Sequence, residues 1–247
     1  MARRQQCGCS MSIAEKIGGT RVLISTRFLN LALSACFLAA VAFTVAANAQ
    51  AQGNANFEAG IAAYQANDLP LAYKSFLVAA KEGHADSQFN VALMYERGIG
   101  IGKDEKEAVV WYGKSASQGN AAAQFNLGVL YENGRGTKID FVKANEWYRK
   151  ASVQGDALAI GNLGMLYVRG QGVKENKIAG AALLLLSATL DRSPENHAKQ
   201  NLSGTPGLTS EMVVAARALS EKLSSAKNLL VPLDQYLIES ENSSLKK

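Results

Sequence analysis

The side chains that most often carry chemistry are few in this chain and poorly spaced for it. There are two histidines, His84 in a Gly83-His84-Ala85 turn and His197 far downstream, and neither has a motif around it. The three cysteines, Cys7, Cys9 and Cys36, all precede residue 49, so the rest of the chain can build neither a thiolate metal site nor a disulfide framework. No serine sits in a Gly-x-Ser-x-Gly elbow. Gly98-Ile99-Gly100, Gly134-Arg135-Gly136 and Gly170-Gln171-Gly172 invite comparison with phosphate loops, but they lack the preceding strand and further glycine of a dinucleotide fingerprint. Glycines that end helices in the left-handed conformation account for them better. No catalytic residue, metal or cofactor is expected.

What does recur is an amide. Asn90, Asn126 and Asn162 stand 36 residues apart, with Gln88 and Gln124 two positions before the first two. An Asn side chain offers two donors and an acceptor, enough to hold one peptide bond of a bound segment. It serves equally well to tie neighbouring helix ends together. Tyr95, Tyr131 and Tyr167 keep the same interval, which core packing explains better than ligand stacking. So do Trp111-Tyr112 and Trp147-Tyr148, and Gln118-Gly119 and Gln154-Gly155.

A repeat of this length must be two helices. In 121–133, Ala123, Leu127, Leu130 and Tyr131 fall on one face at helical spacing. Gly134 and Gly136 stop that helix, and Asp140 is a plausible N-cap for the next. There Ala144, Trp147, Tyr148 and Ala151 make the apolar face, with the aromatic pair filling the space between hairpins. Glu96, Arg97, Glu132 and Arg169 read as a charged, solvated face. One hairpin cannot bury its stripe alone, so the units must stack. Units are expected at 55–84, 85–120, 121–156 and 157–190. The outer two are atypical, with Asn67-Asp68-Leu69 for the Gly-x-Gly loop in the first and Leu183-Leu184 for Trp-Tyr in the last. Tyr64 of the first unit reads as the counterpart of Tyr95. Beyond 190, Ser193-Pro194-Glu195 reads as a helix start. Thr209-Ser210-Glu211 opens a helix with Met212, Ala215, Ala216, Leu219 and Leu223 on one face. Residues 191–240 form a helical cap, and 241–247 a polar tail.

Ala123 to Tyr131, then Gly134 to Gly136, then Lys143 to Ala151 resemble the Sel-1-like repeat, a member of the tetratricopeptide-like superfamily. The resemblance spans 55–190. It implies an all-α fold, a right-handed α-α superhelix of about four helix hairpins closed by the C-terminal cap. It also implies that the first helix of each unit lines a concave groove. Asn90, Asn126 and Asn162, with Gln88 and Gln124, then become the candidate partner-binding residues. Cysteine-rich relatives linked to β-lactam binding or hydrolysis carry a disulfide in each repeat. This chain has no Cys there, which argues against a hydrolase.

The first 49 residues differ in kind from the rest. Arg3, Arg4, Lys16, Arg21 and Arg27 stand against Glu15 alone, so four of the five net positive charges lie here. The remainder is nearly neutral and shows no basic stripe for nucleic acid. Phe28 to Ala47 is apolar, Ala47-Asn48-Ala49 offers small residues to a signal peptidase, and 50–54 is a polar linker. Residues 1–49 are expected to be a secretory signal cut after Ala49, with Met1 or Met11 as the start. The run is also long enough to span a bilayer as a retained anchor. Either way the folded part lies across the inner membrane, in a bacterial periplasm. The expected function is a scaffold or regulator for a protein or peptide partner. Any link to the membrane runs through the N-terminal segment alone.

Overall fold

The computed structural model describes residues 13–17, 20–24 and 52–244. The chain divides into two units, Met1–Gln52 and Gly53–Lys247. In the first, β1 (Ile13–Ile17) and β2 (Thr20–Ile24) pair antiparallel with Ile13 opposite Ile24 and Lys16 opposite Arg21, a hairpin that the sequence pattern did not suggest. The basic residues Arg3, Arg4 and Arg27, the apolar run Phe28–Ala47 and the Ala47-Asn48-Ala49 site lie outside the described residues. No helix among the described residues is long and apolar enough to cross a membrane.

The second unit is helical throughout its described residues. α1 spans 52–65. It is followed by α2 (Leu69–Lys81), α3 (Ala85–Arg97), α4 (Glu105–Ser117), α5 (Ala121–Asn133), α6 (Phe141–Val153), α7 (Ala157–Arg169) and α8 (Lys177–Leu190). Consecutive helices pack on one another, so α1 to α8 form four stacked hairpins. Each helix is set by local chemistry. Asp68, Asp104, Asp140 and Asn176 cap the second helix of a hairpin through a side-chain oxygen; His84, Asn120 and Asp156 cap the first helix of the next. His84 does so through Nδ1, 3.2 Å from the Ser87 N–H, so the turn histidine is a helix cap.

The Gly-x-Gly loops have a second reason beyond helix termination. Gly136 adopts φ 68° and a Cβ there would collide with the Glu105 backbone carbonyl; Gly172 is held the same way against Phe141. The second glycine of each loop thus seats one hairpin on the start of the previous hairpin's second helix. Within a hairpin, Gly128 lies where a Cβ would meet the Tyr148 ring at 2.6 Å.

The core runs the length of the stack. Tyr112, Tyr148, Leu127, Leu130, Leu163, Leu166, Leu183 and Leu184 are fully buried. The Tyr of each Trp-Tyr pair is therefore the wedge between hairpins. Of the Trp neighbours, Trp111 is buried too, and Trp147 sits further out. Trp147 is only half-buried, with Lys150 Nζ 3.9 Å above its ring, and Lys114 covers Trp111 likewise at 3.8 Å.

After α8 come α9 (Ala198–Ser203), α10 (Ser210–Ser225) and α11 (Leu230–Ser244). Ser193-Pro194-Glu195 is a turn rather than a helix start. Asn196 donates to the Ser187 and Asp191 carbonyls, and Asp191 accepts from the Ser193 N–H, so the backbone there is held in a loop. α10 begins at the expected Thr209 cap and buries Ala216, Leu219 and Leu223 against α8. α11 continues to Ser244, into the stretch expected as a polar tail.

Candidate functional site

The three ladder asparagines all lie on first helices, Asn90 on α3, Asn126 on α5 and Asn162 on α7, and all are half-buried. Their chemistry differs. Asn126 Nδ2 donates to the Tyr112 hydroxyl at 3.4 Å, and Asn162 Nδ2 to the Tyr148 hydroxyl at 3.1 Å. Each tyrosine in turn donates to a carboxylate, Tyr112 to Glu96 at 2.7 Å and Tyr148 to Glu132 at 2.6 Å. Burial pushes both phenols well above the ordinary tyrosine range, and the adjoining carboxylates reinforce this. They remain neutral donors, held in the joint between hairpins. Asn126 and Asn162 are thereby engaged within the chain.

Gln88 and Gln124 are also structural. Both are buried. Gln88 Nε2 donates to the Ala80 carbonyl and Gln124 Nε2 to the Ala116 carbonyl, each at 3.0 Å. Gln118 then donates to Gln88 Oε1 at 2.7 Å, and Gln154 to Gln124 Oε1 at 2.8 Å. These amides close helix ends at successive joints, which engages both glutamines within the chain.

The Glu–Tyr–Asn triads were missed in the sequence because Glu96 and Glu132 looked like solvated charge. The signal was available, since both carboxylates and both tyrosines keep the interval of 36. Arg135, the middle residue of a Gly-x-Gly loop, adds a second lashing, with Nη1 2.9 Å from Glu96 and Nη2 2.8 Å from Glu105.

Asn90 stands apart. Among the described residues it makes no side-chain hydrogen bond. The cause is a change of residue in the first hairpin. α1 ends 32 residues before α3 ends, and α2 begins 36 before α4 begins. On that register Phe76 stands where Tyr112 and Tyr148 stand, Tyr64 where Glu96 and Glu132 stand, and Ala63 where Tyr95 stands. The ring pairs agree: Phe57–Phe76 at 5.8 Å, Phe89–Tyr112 at 5.7 Å and Phe125–Tyr148 at 6.1 Å are one contact at three joints. Tyr64 is therefore not the counterpart of Tyr95. It is half exposed, at 51%, whereas Ala63 is buried. The polar triad of the later joints is replaced by aromatic carbon. What results is a cleft of about 390 Å³ lined by Phe57, Ile61, Tyr64, Gln65, Phe76, Asn90, Leu93, Met94 and Ile99. An apolar cleft with the Asn90 amide unengaged at its wall and the exposed Gln65 amide at its rim suits a peptide segment that brings an apolar side chain and a backbone group.

Among the described residues no group of three His, Cys, Asp or Glu side chains could hold a metal ion. The two histidines are far apart in role: His84 caps α3, and His197 precedes α9.

Stacked 36-residue hairpins joined through buried aromatic, amide and glycine contacts define a helical-repeat protein. Residues 85–120, 121–156 and 157–191 each match the family model of the Sel1 repeat. The first hairpin, α1–α2, lies outside the matched span. No curated protein matches the chain. The crystal structure of a Sel1 repeat protein from Oxalobacter formigenes is similar at 33% identity, covering 62% of this chain and 64% of that one, with a TM-score of 0.50. A protective antigen present in uropathogenic Escherichia coli strains, displaying an SLR fold, is 26% identical over 74% of this chain and 47% of its own, with a TM-score of 0.48. The chain thus spans just under two thirds of the first relative and about half of the second.

Proposed function

We propose that this chain is an exported scaffold that holds a protein or peptide partner, and that the first hairpin is where the partner is gripped. Sel1 repeats support a protein-interaction scaffold in general, and the chemistry of the repeats in this chain is directed at their own joints. The observation that carries the reading is Asn90, the ladder amide left unengaged because Phe76 replaces a tyrosine, set in an apolar cleft with Tyr64 at its rim. Asn126 and Asn162 belong to stability, and Asn90 to recognition.

A photo-crosslinking residue placed at Gln65 in intact cells tests this. Capture of a defined partner, reduced at least tenfold by Asn90→Ala or Ile61→Asp, is expected. Undiminished capture in both variants would remove the cleft from the reading. Export rests on the basic, apolar and small-residue order of residues 1–49. N-terminal sequencing of the envelope fraction is expected to begin at Gln50. Retention of residues 1–49 would favour a membrane-tethered form, a reading that the length of Phe28–Ala47 supports.

A further inference from the structure

At the opposite end of the stack, α11 does something that capping does not require. The apolar end of the last repeat is already covered: α9 brings Ala198 and α10 brings Ala216, Leu219 and Leu223 against α8. α11 instead runs back along the stack. Arg149 of α6, 85 positions earlier in the chain, places Nη2 2.7 and 2.6 Å from the two carboxylate oxygens of Asp234. Its Nη1 lies 3.4 Å from the Tyr167 hydroxyl of α7. Further along, Asn176 Nδ2 donates to Ser240 at 3.2 Å, and Lys174 pairs with Glu241 at 3.5 Å. Among the described residues of α11 Leu233 alone is buried, as is Leu229 just before it. Val231 and Ile238, on the opposite face, are more than 60% exposed.

α11 is thus seated as an amphipathic helix would be, by the buried Leu233 with Leu229 just before it, by the partly buried Leu230, Tyr236 and Leu237 packed on the same core, and by a carboxylate next to Leu233. Its seat is also longer than the helix. A cleft of about 530 Å³, lined by Gln124, Glu146, Arg149, Lys150, Val153 and Leu230, is open beside the start of α11. Arg149 is largely covered, with 23% of its side chain exposed, and a cation so placed needs an anion opposite it.

We infer that α11 is an internal occupant of a helix-docking seat on α6–α8, and that an acidic amphipathic helix of a partner, with the same leucine pair and carboxylate, displaces it. The open cleft beside Val153 and Lys150, which α11 edges only with Leu230, gives the incoming helix a first foothold. This seat is independent of the Asn90 cleft, so Asn90→Ala leaves it unchanged.

The test uses the full chain and a labelled peptide of residues 226–247 as the probe, read by fluorescence anisotropy. A Leu233→Asp/Asp234→Ala chain, whose own α11 cannot seat, is expected to bind the peptide at least ten times more tightly than the unaltered chain. Adding Arg149→Glu should abolish that binding, and a peptide carrying Asp234→Arg should restore it. Equal binding by all chains, or no rescue by the charge-reversed peptide, overturns the proposal. A variant that dimerises without taking up peptide would assign the seat to a second copy and overturn it too. Hydrogen exchange on the unaltered chain gives a readout free of folding defects. α11 should exchange as a unit ahead of α3–α8 and α10, and exchange in step with α10 contradicts a displaceable helix.

Discussion

At the scale of single residues, the same letter does different work at different joints. Tyr148 is fully buried and hydrogen-bonded on both sides, by donating to Glu132 and accepting from Asn162. Tyr148→Ala is expected to cost about 3–5 kcal/mol, as large aromatic truncations in cores do. Tyr148→Phe should cost about 1–3 kcal/mol by stranding its partners. Trp147→Ala should cost less than Tyr148→Ala, because the Trp ring is half-buried under Lys150. Urea unfolding of the three variants checks the order. Asn162→Ala should lose about 1 kcal/mol with its hydrogen bond, and Asn90→Ala next to nothing, because it has none to lose. A comparable loss for both would return Asn90 to a structural role. Hydropathy alone cannot rank Trp against Tyr in such a pair. The hydroxyl decides it, because only a buried phenol reaches both the carboxylate and the amide across the joint.

At the scale of elements, the interval of 36 and the glycine stops were enough to place α3 to α7, and the Thr209 cap placed the start of α10. The pattern was silent where a loop changed length or where side chains held the backbone out of a helix. The first hairpin is an instance of the former: its connection is four residues shorter, which moves Tyr64 off the position its letter suggests. Residues 193–197 are an instance of the latter, with Asn196 and Asp191 capturing backbone groups that a helix would have used. The loop glycines separate two effects. Gly119 has φ 97° with open space around it, whereas Gly136 has φ 68° and no room for a Cβ. Gly119→Ala should cost about 1–2 kcal/mol from the left-handed backbone alone. Gly136→Ala should cost more, because Glu105 must also move; equal costs in thermal unfolding would mean that the hairpins are not seated through this loop. The same joint sets an acid response. Hydrogen bonds from Lys103 and Arg135 hold the Glu105 carboxyl below its ordinary range. A carboxyl depressed in the folded state adds stability above its unfolded pKa, about 4.3, which is lost as pH falls through the folded value. The stability gap between wild type and Arg135→Ala should therefore narrow as pH drops from about 7 to about 3. A gap independent of pH would mean that the pair adds nothing.

At the scale of the whole molecule, a stack stabilised joint by joint breaks its repeat chemistry at its ends, and the proposed function is placed there. Both breaks are visible as substitutions: Phe76 and Tyr64 for the Tyr–Glu pair at the first hairpin, and Leu183-Leu184 for Trp-Tyr at the last. The fold class was legible because the repeat dictates it. The split of the asparagine ladder was not, since it depends on which side chain faces each amide from the neighbouring hairpin. The most direct measurement is in-cell photo-crosslinking from Gln65, compared with the same probe at Val214, which is exposed on α10, in wild-type and Asn90→Ala chains. A partner captured from Gln65 but not from Val214, and lost at least tenfold in Asn90→Ala with the melting temperature unchanged, is the predicted result. Equal capture from both positions, or capture that survives Asn90→Ala, would contradict a scaffold that grips its partner at the first hairpin.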